Sequence, residues 1–168
     1  MIEYEAFRKA TQRLMKQGKK LPGGVAKQAA LGAADLFGKI VSKTPYNIKG
    51  TSYEFSGNAQ QSWQCFVNPG EARDILEVLV IGGGENRERT GSAPISYHDA
   101  RSEALMNIGE VEEGDRILIS SDIIYMHKLE DGHSRQAPDG FIRLAIVDAE
   151  SQIARKVGKH LRKITGSQ

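Results

Sequence analysis

Residues 114–144 constrain the fold most, because they set a short apolar strand, two glycine turns and the start of a helix in a fixed order. Residues 117–120 predict a strand. Turn residues follow at 129–134 (Leu-Glu-Asp-Gly-His-Ser) and 136–140 (Gln-Ala-Pro-Asp-Gly), where glycine permits backbone conformations closed to other residues and proline fixes φ. Beyond Gly140, apolar residues recur at helical spacing. We therefore predict a strand, a tight connection and a long C-terminal helix over about residues 140–163.

Residues 1–43 predict two basic helices. Apolar residues recur at helical spacing between positions 4 and 14, with Lys and Arg elsewhere around the helix. A second apolar stripe runs from Val25 to Val41. Thr44 followed by Pro45 ends this helix, because proline disfavours helical backbone at the residue before it.

The middle of the chain predicts strands around one short helix. Polar and apolar residues alternate over 61–67, and residues 75–81 (ILEVLVI) are nearly continuously apolar, which favours a central strand. Ser96, with Asp99 three residues later, predicts a capping box that opens a helix over 97–108. Residues 123–129 fit a helical face slightly better than a strand.

Together these patterns predict a single α+β domain over residues 1–168. Its parts are a basic helical N-terminus (1–43), a β-rich middle (60–121) and a C-terminal helix (about 140–163). We expect the N-terminal helices to precede a central antiparallel sheet of about four strands, with the long C-terminal helix packed on one face. A chain of 168 residues can bury a sizeable core without disulfides or metal.

The single cysteine, Cys65, lies in a predicted strand and permits no internal disulfide, so we expect a buried thiol. No apolar run approaches the roughly 20 residues of a membrane span. The first ten residues carry acids and no apolar run, unlike a signal peptide. A cytoplasmic origin without membrane association is the resulting expectation.

Charge is unevenly distributed along the chain. Residues 1–50 hold ten Lys and Arg against three Asp and Glu, residues 51–133 hold six against fifteen, and residues 134–168 hold seven against three. Basic ends and an acidic middle can pair head to tail between copies, because complementary patches steer association. The same basic residues could instead face phosphates, or be ordinary solvated helix faces. The first of these alternatives is a nucleic-acid-binding module that uses the basic terminal helices.

Catalytic motifs are weak in this sequence. His127, Glu130 and His133 form H-x-x-E-x-x-H, whereas the metalloprotease spacing H-E-x-x-H sets both histidines one turn apart, and Gly132 interrupts a helix here. Glycines 82–84 are not followed by Gly-Lys-Ser/Thr, as a phosphate-binding loop requires. We therefore predict a protein that is not an enzyme and uses no cofactor or metal.

The connection before the C-terminal helix resembles that of the neck and tail-completion proteins, the head–tail joining family of long-tailed bacteriophages. There the segment typically reads strand, Pro-Tyr-Ala, then Leu-Glu-x-Gly-x-Ser-x-Gln-Ala-Pro-x-Gly; here Leu-Glu-x-Gly-x-Ser stands at 129–134 and Gln-Ala-Pro-x-Gly at 136–140. Upstream, Thr44-Pro45 and the Gly57 to Trp63 stretch are similar to the family's Thr-Pro and Gly…Ser-Trp region. Eleven residues separate Pro45 from Gly57, more than family members often have. The similarity covers roughly residues 25–155.

The resemblance implies a structural virion protein that completes the tail and joins it to the head. Such proteins form rings, and sixfold symmetry is what the family's tail tubes suggest. The implied partners are further copies of the chain, the head-closure or adaptor proteins, and the tail tube or tail terminator. DNA would pass through the lumen without specific binding, and the protein would be assembled in the host cytoplasm into the neck or tail of the virion.

Contact residues follow as a hypothesis. A well-turned loop at a helix start can contact a ring neighbour, and basic N-terminal residues can face an acidic partner; purely intramolecular turn chemistry is the alternative. Glu130 would either stay at the surface or cap a neighbouring group. We also expect the loops 46–58 and 82–94 to become ordered on assembly. The candidate interface residues are Tyr125, Glu130, Gly132, His133, Ser134, Gln136, Pro138, Gly140, Arg13, Lys16 and Lys20.

Overall fold

The computed structural model describes residues 24–46, 58–68, 76–84, 94–111 and 115–165. In chain order its elements are α1 (Gly24–Lys43), α2 (Asn58–Gln61), β1 (Trp63–Asn68), β2 (Leu76–Gly84), α3 (Tyr97–Ile108), β3 (Arg116–Ile123), α4 (Met126–Glu130) and α5 (Ile142–Thr165). The helix predicted near residues 4–14 lies outside the described residues, as does most of the two predicted loops. Residues 82–84 of the second loop belong to β2.

The sheet differs from the prediction. The described strands form one three-stranded sheet in the order β1-β3-β2. Strand β1 runs antiparallel to β3, with Cys65 opposite Ile119, whereas β2 runs parallel to β3, with Val78 opposite Ile119. The expected antiparallel sheet of about four strands is therefore wrong. Helix α3 lies between β2 and β3 in the chain and supplies the crossover that a parallel pair requires.

The strand predicted to be central is an edge strand of the described sheet. Residues Leu76, Val78 and Val80 of β2 are buried, but among the described strands β2 pairs only with β3. The central strand is β3, which is buried on both faces: Ile117 and Ile119 are fully buried on one, and Leu118 is 7% exposed on the other. Being flanked on both sides, rather than being uniformly apolar, makes β3 the sheet's centre.

Helix α1 is the element around which the other long helices pack. It contacts α3, α5 and β3, and Ala33, Ala34 and Leu36 on it are fully buried. Helix α5 packs chiefly on α1 and not on the sheet, contrary to expectation. The physical reason is that α1 and α3 already contact the strands. Small residues allow the close approach of α1 and α3: a Cβ at Gly38 would lie 2.9 Å from a ring carbon of Tyr97.

Two local predictions are confirmed. Helix α3 spans Tyr97–Ile108 as predicted, and Ser96 caps it: the Asp99 N–H donates to the Ser96 hydroxyl oxygen at 3.2 Å, as in a capping box. The Asp99 carboxylate accepts from that same hydroxyl at 2.7 Å. Cys65 is buried, and this burial, with a smaller contribution from Glu103, raises the pKa of its thiol to about 12. The thiol is therefore a core side chain and a poor nucleophile.

A buried carboxylate ties the three long helices together. Asp35 of α1 is only 8% exposed and accepts from Arg101 Nε of α3 at 2.5 Å and from Lys156 Nζ of α5 at 2.5 Å. The hydroxyl of Tyr97 donates to it at 3.2 Å. Burial alone would raise the pKa of Asp35, but the hydrogen bonds and charges of Lys156 and Arg101 outweigh it and the pKa is lowered. A second ion pair, Lys39 with Asp148, also joins α1 to α5.

Replacing Asp35 should weaken the fold in a pH-dependent way. Asp35→Asn removes the charge that Arg101 and Lys156 share, and we expect it to lower the free energy of unfolding by about 2 kcal/mol at pH 7, since both cations can still turn towards water. A carboxyl with a lowered folded pKa stabilises the fold above its unfolded pKa, and that contribution is lost as pH falls through the folded pKa. The difference between wild type and variant should therefore shrink as pH is lowered from about 5 to about 2.

Urea unfolding followed by circular dichroism measures both quantities. Asp131→Asn, at an exposed position, is the control and should change stability little at any pH. If the difference in free energy of unfolding between wild type and Asp35→Asn stays constant across the acid range, Arg101 and Lys156 do not lower the pKa of Asp35.

Candidate interaction surface

The turn segment, residues 129–140, joins α4 to α5 and is organised by Glu130. This side chain is buried, and its carboxylate accepts three backbone N–H groups at the start of α5: Phe141 at 2.8 Å, Ile142 at 2.7 Å and Arg143 at 2.9 Å. The first N–H groups of a helix have no partner within it, and negative charge is favourable there. Of the two roles left open by the sequence, Glu130 therefore has that of a cap.

The two glycines of the turn segment are required by backbone geometry. Gly132 has φ +84° and Gly140 has φ +78°, values that favour glycine. A Cβ at Gly132 would lie 2.2 Å from the Pro138 carbonyl oxygen, and one at Gly140 would lie 2.5 Å from the Glu130 carbonyl oxygen. The chain thus folds back on itself too tightly for a side chain at either position.

The remaining polar residues of the turn segment fix its backbone conformation through hydrogen bonds. The N–H of His133 donates to the Lys128 carbonyl at 3.0 Å, and its Nδ1 lies 3.1 Å from the same oxygen. Ser134 and Ala137 form an isolated antiparallel bridge, and the Ser134 hydroxyl accepts from the Gln136 N–H at 3.2 Å. Helix α5 begins at Ile142, two residues after the predicted start near residue 140, and Pro138 lies in the preceding turn.

Gln136 connects the turn segment to the end of the α1 region. Its side-chain oxygen accepts from the Tyr46 N–H at 2.9 Å, and its side-chain nitrogen donates to the Tyr46 carbonyl at 2.6 Å. The amide therefore satisfies both backbone groups of one residue, as a neighbouring strand would. This contact links the two regions that carry the family resemblance.

The upstream region of resemblance forms a buried polar cluster. The Thr44 hydroxyl donates to the Ile40 carbonyl at 2.7 Å and accepts from Trp63 Nε1 at 2.9 Å. Gln60 donates to the Thr44 carbonyl at 3.2 Å and accepts from the Ile95 N–H at 2.9 Å. Thr44 thus ends α1 and fixes the start of β1 at the same time.

The predicted interface residues divide by exposure. Tyr125 is half-buried against the core, where burial raises its pKa, and Glu130 and Gly140 are buried. The side chains of His133, Gln136 and Pro138 are exposed. Gly132 and Ser134 are partly exposed, and both belong to the turn geometry. Seven of these eight residues lie in the turn segment, and Tyr125 lies at the start of α4, while Arg13, Lys16 and Lys20 lie outside the described residues.

Two exposed helix faces were not predicted as interfaces. The acidic face of α3 consists of Asp99, Glu103 and Met106, continued by Glu110 just beyond the helix; Met106 is 77% exposed. The basic face of α5 consists of Leu144, Val147, Arg155, Lys159 and Arg162, all exposed. Helical spacing indicates both faces in the sequence, but only the structure shows which side of each helix is turned away from the core.

The residues of the H-x-x-E-x-x-H pattern do not form a metal site. Both oxygens of Glu130 are engaged by the N-terminus of α5, and His133 bonds to the Lys128 carbonyl. Across the part of the chain that the structure describes, no group of three His, Cys, Asp or Glu residues could hold a metal ion. Within the same residues, no helix has the length and apolar character to cross a membrane.

Comparison of the chain with protein families, with curated proteins and with solved structures found no match.

Removing the Glu130 carboxylate should destabilise the whole domain. Glu130→Ala leaves three buried or half-buried N–H groups without an acceptor, and we expect a loss of about 2–3 kcal/mol in the free energy of unfolding. Urea denaturation measures this loss. The control is Asp139→Ala, an exposed side chain of the same segment, which should cost under about 0.5 kcal/mol. Equal effects of the two substitutions would contradict the capping role.

The glycines of the turn segment allow a matched comparison with Gly109. Gly109 also has positive φ, +57°, but a Cβ there would meet nothing within 4 Å. With ψ −133°, Gly109 lies outside the left-handed helical region, in backbone space dominated by glycine, so Gly109→Ala should cost this backbone strain alone, about 1–3 kcal/mol. Gly132→Ala and Gly140→Ala should each cost clearly more in thermal unfolding, because the new methyl group meets a carbonyl oxygen. Similar costs at all three positions would show that the turn segment can open to admit a side chain.

Proposed function

We propose that this chain is a structural protein of the bacteriophage head–tail junction, where copies of it form a ring that completes the tail and joins it to the head. The observation that carries the proposal is the turn segment. Its residues that resemble the neck and tail-completion family have definite structural roles here: Glu130 caps α5, and Gly132 and Gly140 make turns that no other residue fits.

The form of the turn segment suits a contact surface. Its backbone is held by internal hydrogen bonds and by the cap, while the side chains of His133, Arg135 and Gln136 reach the surface. A surface that is rigid before contact loses little conformational entropy on binding. This supports a docking role for the segment in addition to its structural one.

The ionisable groups of the described core are engaged structurally. Asp35 is neutralised by two cations, Glu130 is bound by three N–H groups, and burial raises the pKa of Cys65 to about 12. Each would need to be released before acting as a base or nucleophile. A joining role requires none of these groups to leave its structural partners.

A second candidate, nucleic-acid binding, is favoured by one observation. Arg155, Lys159 and Arg162 are exposed along the last turns of α5 and could contact successive phosphates. A dedicated binder would hold DNA at micromolar or tighter affinity with a steep dependence on salt. We expect this chain to show neither, because the junction must let DNA slide through.

Complementation of defective particles tests the proposal. A nonsense mutation in the gene should yield separate heads and tails, and the purified protein should restore their joining. Arg135→Glu alters an exposed side chain of the turn segment and should reduce joining at least about tenfold, whereas Lys27→Glu, the same charge change at an exposed position on α1, should not. Both variants should unfold at the wild-type temperature.

A cryo-EM map of the intact particle provides the second measurement. We expect a closed ring of this chain at the junction of head and tail. Particles that join normally without the protein, or a map with scattered single copies on the capsid, would refute the proposed function.

A further inference from the structure

We infer that the acidic face of α3 on one copy binds the basic face of α5 on the next copy. The inference deepens the proposed function and rests on it, because a ring of identical subunits needs one surface that binds a different surface of its neighbour. The partner that binds each of the two faces is thus a second copy of this chain. The argument depends on charge, exposed apolar side chains and the spacing of both along each helix.

The two faces are complementary in charge. The exposed side of α3 presents Asp99 and Glu103, with Glu110 just beyond the helix end. The exposed side of α5 presents Arg155, Lys159 and Arg162. Asp148, which flanks the basic face, is paired with Lys39 and does not offset these charges. Opposite potentials of this kind steer encounter and fix the register of an interface.

Each face also carries apolar side chains that the core does not use. Met106 lies in the middle of the acidic face and is 77% exposed. Leu144 and Val147 begin the basic face and are 48% and 59% exposed. Methionine adapts to irregular apolar surfaces, so Met106 can pack between two aliphatic side chains. Phosphate binding would make no use of these apolar groups, which favours a protein partner over nucleic acid.

Spacing along the helices selects an antiparallel contact. Asp99 lies seven residues before Met106, and Arg155 lies eight residues after Val147. At about 1.5 Å rise per residue, these separations are roughly 10.5 and 12 Å. If Met106 packs on Val147 with the helices antiparallel, Asp99 comes level with Arg155, and Glu103 lies roughly 7.5 Å short of it along the axis. A parallel contact would instead place Glu110 level with Ser151, roughly 6 Å short of Arg155, and would set Asp99 and Glu103 towards the start of α5, away from all three basic residues.

A charge swap tests this contact in the isolated protein. Glu103→Lys and Arg155→Glu should each weaken self-association at least about fivefold in sedimentation velocity, since each sets like charges opposite one another. The double variant should regain part of the association, and so should an equimolar mixture of the two single variants, because the two substituted side chains then carry opposite charges. Asp99, which stays level with position 155, limits the recovery. Lys27→Glu and Gln64→Lys change the charge at exposed positions outside both faces and outside the turn segment, and they should have no effect.

Cysteine pairing tests the register independently. Met106→Cys mixed with Val147→Cys should form a disulfide-linked dimer between the two variants, while Gln64→Cys mixed with Val147→Cys should not. The native thiol, Cys65, is buried and should not interfere. All substituted side chains are exposed, so far-ultraviolet circular dichroism should match wild type.

Three results would overturn the inference. The first is a wild-type protein that stays monomeric at its highest soluble concentration, and the second is a double variant no better than the single ones. The third is that the charge reversals Glu103→Lys and Arg155→Glu change DNA binding without changing self-association, which would assign the basic face to nucleic acid. Failure of the proposed function gives a different result. The charge-swapped variants would still recover self-association in solution, but phage heads and tails would join without the protein.

Discussion

The carboxylate of Glu130 at the start of α5 is the interaction on which the remaining architecture depends. By accepting three successive N–H groups it fixes both the first turn of α5 and the direction in which the helix leaves the turn segment. That direction brings Asp148 to Lys39 and Lys156 to Asp35 on α1. The side of α5 that faces solvent is therefore set at its first turn. Loss of the cap would therefore loosen both ion pairs and the basic face, although the buried residues Ile142, Ala145 and Ile146 also hold α5 in place.

Local signals in the sequence were sufficient where the structure is local. The hydroxyl of Ser96 and the carboxylate of Asp99 lie three residues apart and bond to one another, so the start of α3 could be read directly. Thr44 and Pro45 likewise marked the end of α1. The strand order and strand directions of the sheet could not be predicted from such local signals. An apolar run such as β2 is compatible with parallel or antiparallel pairing, and its direction is set by a partner about forty residues away.

The candidate surface was only partly accessible from the sequence. Turn residues 129–140 were identified because glycine and proline have distinct backbone requirements, yet the role of Glu130 depended on where α5 begins. Asp35 is the single acid within the apolar stripe of α1, and this pattern predicts a buried charge that needs partners. Those partners, Arg101 and Lys156, are 66 and 121 residues away, and no pattern in one sequence connects them.

The strand order has a consequence for synthesis of the chain. Strands β1 and β2 do not pair with one another; among the described strands each pairs only with β3, which the ribosome makes last. The pairing of this sheet cannot form until β3 has left the exit tunnel. Until then the apolar residues Leu76, Val78 and Val80 have no partner among the described strands. Translation thus passes through an interval in which β2 is open to aggregation, and its length is set by the speed of elongation across α3 and β3.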